Sequence, residues 1–249
     1  MELKGCTAIV TGGSGGLGAR ICRALALNGV NVVVNYTASQ ARATAVAGEL
    51  AKLGARAIAL QADVTDPAAV ANMVERTVAE FGRVDILVND AAFNKSIPYP
   101  DLDGMTDELW HRILETNLTG AFNCIKAVAP RMKAAGQGRI VNISSGAGVF
   151  PRGSSIAYAV SKAGMIHLTK CMAVALAPAV TVNCVAPGFM EGTRMTANLA
   201  PEYVANVVDY TLLRHPVNKD DVAEQVVLFC RSDSMTGQMI VMDCGRLGS

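Results

Sequence analysis

The chain has 249 residues, 51% apolar but only 5% aromatic, which is enough material for one large core packed mainly by small aliphatic side chains. A net charge of +1 gives no bias towards nucleic acid or an anionic membrane, and three scattered histidines offer no metal-ligand pair. Seven cysteines without a C-x-x-C pattern read as free thiols in a reducing compartment, so the expected location is the cytoplasm, with no metal site.

Taken in chain order, the first feature is a β-branched run, Thr7 to Val10, followed by TGGSGGLG (Thr11 to Gly18) and a helical pattern from Ala19 to Asn28. Strand, Gly-rich turn and helix together set main-chain N–H groups and a helix N-terminus around a phosphate. Val30 to Val34 predicts a second buried strand ending at Asn35, Tyr36 and Thr37. In a dinucleotide fold this end faces the adenosine ribose, where a carboxylate selects NAD. No carboxylate stands there, which tilts the reading to NADP. No arginine lies in the Gly-rich turn, and Arg42 on the next helix is either within reach of a phosphate or part of a solvated face.

Ser39 to Leu53 predicts a helix closed by Gly54, and Ala57 to Leu60 a third strand with Asp63 and Val64 just beyond it. Asp63 fits a turn residue or a contact to a base. Asp66-Pro67 opens the next helix as cap and first residue. Val84 to Val88 is a fourth strand, running into Asn89-Asp90-Ala91-Ala92. The helix after Thr106 carries Asn117, unfavourable there by propensity, so either a tolerated surface residue or a distorted, functional turn.

The most informative stretch runs from Val141 to Lys170. Ile140 to Ile143 reads as a buried strand; Ser144, Ser145 and a Gly-rich turn follow, and then a helix carries Tyr158 and Lys162. A spacing of four puts phenol and ammonium on one helix face. The ammonium is expected to lower the tyrosine pKa towards the range of an acid/base catalyst, with Ser145 as a hydrogen-bonding partner for a substrate oxygen. A lone Y-x-x-x-K would mean little; its company elsewhere in the chain gives it weight. Cys171 to Met190 carries no charge, but Pro178, Asn183 and Pro187 interrupt it, so a buried helix end and strand is expected rather than a membrane span.

Thr181 to Val185 is the sixth strand, ended by Pro187-Gly188. The 189–218 segment reads as an insertion with Phe189, Met190 and Met195 near its start, either an apolar lid or a surface excursion. Asp220 to Arg231 and Gln238 to Met242 give the last helix and a seventh strand. The alternation predicts one doubly wound α/β domain of the Rossmann type over 1–249, a seven-stranded parallel sheet flanked by helices, with ligands at the carboxyl ends of the strands.

Taken together these residues resemble the short-chain dehydrogenase/reductase family, in its branch of about 250 residues, over essentially the whole chain. TGGSGGLG looks like the family's T-G-x-x-x-G-x-G turn, Asp63-Val64 its adenine-contacting pair, Asn89 its N-N-A-G asparagine, and Pro187-Gly188 with Thr193 its P-G-x-x-x-T segment. Asn117, Ser145, Tyr158 and Lys162 match its catalytic tetrad, Ser145 being thirteen residues before the tyrosine. The resemblance implies cofactor contacts from Gly12, Ser14, Gly16, Leu17, Gly18, Asn35, Tyr36, Thr37, Asp63, Val64, Asn89, Ala91, Tyr158, Lys162, Pro187, Gly188, Met190 and Thr193. Substrate contacts are expected from Ser145 and Tyr158 with the apolar walls Phe93, Phe150 and Phe189. The chain is most similar to 3-oxoacyl-thioester and acetoacetyl-CoA reductases, which implies NADPH-dependent reduction of a small ketone by a homotetramer. The alternatives are NAD-dependent oxidation of a sugar, steroid or aromatic alcohol, or an NADP-binding sensor without turnover. The chain departs from the pattern at Asp90-Ala91-Ala92, where N-A-G is usual, at Cys244, which replaces a glycine, and in a short turn after Pro178.

Overall fold

The computed structural model describes residues 1–193, 196 and 201–246. Seven strands form one parallel sheet in the order β3-β2-β1-β4-β5-β6-β7: β1 (Thr7–Thr11), β2 (Asn31–Tyr36), β3 (Ala57–Gln61), β4 (Ile86–Asn89), β5 (Gly138–Ile143), β6 (Val180–Pro187) and β7 (Met239–Met242). The order reverses between β1 and β4, the switch point at which a crevice opens beyond the strand ends.

The strands' two-residue period divides the core between the faces of the sheet. Ala8, Val10, Val32, Val34, Ile86 and Val88 pack on one side with α1 (Gly16–Leu27), α2 (Gln40–Lys52) and α8 (Lys219–Arg231), around Ile21, Leu25 and Phe229. Ile9, Val33, Leu87 and Ile140 pack on the other with α3 (Pro67–Phe81), α5 (Gly120–Ala134) and α6 (Ile156–Leu176), around Met73, Val128 and Met132. Both faces are covered, so the strands read as continuous apolar runs.

Helix ends follow local chemistry. Asp66 accepts N–H bonds from Ala68 and Ala69, with Pro67 at the first position of α3, and Gly54 closes the α2 end at a positive φ of +87°. The helix expected to carry Asn117 is two helices, α4 (Asp107–Leu114) and α5, joined by a π-turn over Glu115–Thr119. Part of the 189–218 insertion is α7 (Pro201–Asp209). Met195, counted above among its apolar residues, lies outside the described residues. No helix among the described residues is long and apolar enough to cross a membrane, and no cluster of three His, Cys, Asp or Glu among them could hold a metal ion.

Candidate active site

Four segments meet at the carboxyl ends of β1, β4, β5 and β6. The Gly-rich turn folds tightly onto itself and its neighbours: a Cβ on Gly18 would lie 2.5 Å from the Gly12 carbonyl, and one on Gly12 would lie 3.0 Å from Ala91 Cα. Thr11 Oγ1 straps the turn to the β4 end by accepting the N–H groups of Asp90 and Ala91, both at 3.1 Å. Helix α1 starts at Gly15 with no side-chain cap and no acidic residue in its first turn, so its end suits an external anion. On the far side, a Cβ at Gly16 would meet the Gly192 carbonyl at 3.2 Å and Thr193 Cα at 3.4 Å. The Pro187–Thr193 segment therefore lies against the Gly-rich turn. It is braced by Gly188 N–H to Met242 O at 2.8 Å and by Thr196, whose hydroxyl donates to Met190 O and accepts from the Thr193 N–H.

The residues expected to touch a cofactor divide into two kinds. Gly12, Ser14, Gly16, Leu17 and Gly18 form the turn, with Ala91 and Thr193 packed against it, whereas Val64 lies against Gly120 with its carbonyl accepting from Asn123, and Gly188 lies against Asp243. Asn89 is buried; its amide donates to Asn142 Oδ1 at 2.8 Å, while its own Oδ1 has no partner. That orphaned acceptor and the glycine cradle fit a dinucleotide with donor groups of its own.

The β2 end differs from expectation. Asn35 is turned inward, accepting from Gly12 N–H at 3.3 Å and donating to the carbonyls of Leu60 and Ala62, because its buried amide needs all these partners. Tyr36 belongs to the core, so of the three only Thr37 is exposed. Arg42 donates to Ser39 Oγ at 2.6 Å beside it. Asp63 is a turn residue in its contacts, accepting from the N–H and hydroxyl of Thr65 at 2.9 and 2.7 Å.

The tetrad residues come together. Ser145 stands beside the Tyr158 phenol, where its hydroxyl favours the ionised form, and caps a short 3-10 turn, Gly146–Gly148, by accepting from Ala147 N–H. Gly148 is required here, since a Cβ would lie 2.5 Å from the Lys162 carbonyl carbon. Ser155 caps α6 at the Tyr158 N–H and donates to Asn94 Oδ1. The Lys162 ammonium, 3% exposed, donates to Ile143 O at 2.8 Å and sits 5.7 Å from the Tyr158 ring centre.

Electrostatically the site departs from the expectation for Tyr158. Burial pushes the phenol above its ordinary pKa; the Ser145 hydroxyl opposes this, and the Asp90 charge adds to it. Burial lowers Lys162 to about 8, against the favourable charges of Asp90 and Cys184. The ammonium is held by the Ile143 carbonyl of β5, and burial of the phenol is the effect that outweighs proximity along the helix.

Asn117 lies inside the π-turn, fully buried. Its Oδ1 accepts the Phe93 N–H at 2.7 Å and its amide donates to Ser161 Oγ at 3.0 Å, while Ser161 donates to Tyr158 O. The distorted-turn alternative is the one observed, as π-turns at functional sites commonly are. Phe93 and Phe150 carry guanidinium groups over their rings, Arg112 at 4.0 Å and Arg152 at 4.8 Å, so this wall is less apolar than expected. Phe189 borders a small cavity with Val207, Val208 and Thr211 at the base of α7. Sequence reasoning missed Ser155, Ser161 and Arg112. Only a hydroxyl at a helix start, for Ser155, could have flagged one of them.

This geometry has known counterparts. The family model described as short chain dehydrogenase matches residues 6–204. The 3-oxoacyl-[acyl-carrier-protein] reductase of a Synechocystis strain is 38% identical over 242 residues, 96% of this chain and 95% of that one. The enzyme of that name from Staphylococcus epidermidis is 37% identical over 243 residues, 96% and 98% of the two chains. A crystal structure of a short chain dehydrogenase from Burkholderia cenocepacia J2315, in complex with NADP, superimposes with a TM-score of 0.90 at 35% identity, covering 99% of each chain. With the family model matched over residues 6–204 and a relative 37% identical over 96% of its length, the chain belongs to the short-chain dehydrogenase/reductase family and is an oxidoreductase of CH–OH and C=O groups.

Proposed function

We propose that the protein reduces a small ketone of the 3-oxoacyl type with NADPH. The observation that carries the reading is the meeting of Ser145, Tyr158 and Lys162 beyond the β5 end, with the Lys162 ammonium 5.7 Å from the Tyr158 ring centre. When bound, the nicotinamide supplies the hydride to the carbonyl carbon, or takes it back in oxidation. Ser145 and Tyr158 hold the carbonyl oxygen, and Tyr158 donates its proton as the alkoxide forms; in the reverse direction it accepts that proton. A phenol held above its ordinary pKa stays protonated through neutral pH, as a proton donor must. Lys162 supplies a fixed positive charge and a donor for the ribose. The side chain of Asn117 is spent on the Phe93 N–H and Ser161, so its part is to position the loop after β4 against α6. The 3-oxoacyl assignment draws support from the names of the two reductases reported above, and we take the chain to be a single catalytic domain.

The choice of NADPH rests on the β2 end, where no carboxylate repels a 2′-phosphate and Arg42 with Ser39 stands next to the exposed Thr37. Fluorescence titration of wild type and Arg42→Ala with NADPH and NADH tests it. The expected result is tighter binding of NADPH by wild type and a loss of about tenfold for NADPH alone in the variant, the size of one charge-assisted hydrogen bond. Equal affinities in wild type would contradict the choice.

The assembly we propose is a homotetramer seated on the outward faces of α5 and α6, where Phe122, Val160 and Val174 are 41%, 44% and 82% exposed. A monomeric mass by light scattering at micromolar concentration would refute it.

A further inference from the structure

Asp90 is a carboxyl group that the proton transfer at Tyr158 does not use. It follows β4 directly, and its carboxyl lies against the Gly18 main chain, with Oδ2 2.9 Å from where a Gly18 Cβ would stand. The acid is therefore seated in the first turn of α1, the uncapped helix end that holds phosphate in the dinucleotide reading. From α6 it is faced by the Lys162 ammonium and the Tyr158 phenol, and from α1 by the Cys22 thiol, itself raised by burial. Lys162 in turn is faced by Cys184 of β6. Burial raises Asp90 to about 7, against the opposing pull of Lys162 and the Gly18 N–H, so acid and anion coexist near neutrality.

We propose that Asp90 couples cofactor binding to proton uptake: the dinucleotide is accepted onto the Gly-rich turn with the Asp90 carboxyl protonated, and the carboxylate form repels its phosphates. The proton comes from solvent, and no bond of the cofactor changes. The inference rests on the dinucleotide reading above and adds a pH linkage to it. Phosphate charge beside the carboxyl raises its pKa further in the complex. Affinity is then full while Asp90 is protonated in the free protein, and falls by up to about tenfold per pH unit above that point. Phosphate also favours the Lys162 ammonium, but that uptake centres nearer 8 than 7.

Calorimetric titration with NADPH, in buffers of different ionisation enthalpy across this pH range, counts the protons taken up. Wild type is expected to take up as much as one proton per site, beginning near 7. Asp90→Asn keeps an oxygen beside the Gly18 main chain and removes the acid. It should lose the uptake near 7 and bind NADPH several-fold more tightly than wild type one pH unit above it. Infrared difference spectra of wild type give a readout that needs no variant: a carboxylic-acid C=O band should grow as NADPH is added. NADPH binding without proton uptake or such a band overturns the proposal alone, as does uptake near 7 that persists in Asp90→Asn. No binding of NADPH or NADH overturns the dinucleotide reading and this proposal with it.

Discussion

Tyr158, Ser145 and Lys162 are each fixed by contacts outside their own motif. The spacing of Tyr158 and Lys162 was legible in the sequence, because four residues along a helix fix a shared face. The Ile143 carbonyl that holds the Lys162 ammonium was not, because it comes from β5, nineteen residues away in sequence. The position of Tyr158 was therefore readable, whereas the burial that raises its pKa was not. Asn35 shows the same limit: its place at the β2 end was readable, but its inward turn is decided by the unpaired carbonyls of Leu60 and Ala62. One pH dependence follows from Lys162. The ammonium is present below about 8 and lost above it, so kcat/KM for NADPH, which reports the free enzyme and begins to fall near 7 as Asp90 ionises, should fall more steeply above about 8. A fall no steeper above that value would show that the ammonium is not needed.

At the scale of elements, the sequence placed all seven strands to within a few residues, because β-branched runs bounded by turn residues leave little choice of register. It also marked Asn117 as a conflict between propensity and position. It could not tell that the helix divides there, since the cause is tertiary: the amide bridges Phe93 on one segment and Ser161 on another. Helix α6 depends on its first residue in a comparable way. Ser155 accepts the Tyr158 N–H at 3.2 Å and donates to Asn94 Oδ1 at 3.1 Å, tying the start of α6 to the loop after β4. Ser155→Ala should cost about 1 kcal/mol of stability from the lost cap and lower kcat more than it changes the affinity for NADPH. Denaturant midpoints and steady-state rates read the two effects; unchanged kcat would mean that the cap positions nothing.

Across the whole molecule, the two apolar layers form a rigid frame for a site built from the first, middle and last thirds of the chain. Thr11 on β1 straps the β4 end, the Pro187–Thr193 segment reaches back to Gly16, and α6 carries the phenol and the ammonium. This convergence explains why single motifs said little and their order along the chain said much. The departure at Asp90 was visible as a changed letter, but its close approach to Gly18 was not, because that requires α1 and β4 to meet.

The central claim is that this site transfers a hydride to a ketone with Tyr158 as the proton donor. The most direct measurement is NADPH oxidation with a short 3-oxoacyl thioester, by wild type and by Tyr158→Phe, with cofactor binding followed in parallel. The account predicts turnover by wild type and a fall of about a hundredfold or more in the variant, which still binds NADPH. A Tyr158→Phe protein that binds NADPH and turns over at the wild-type rate would contradict it.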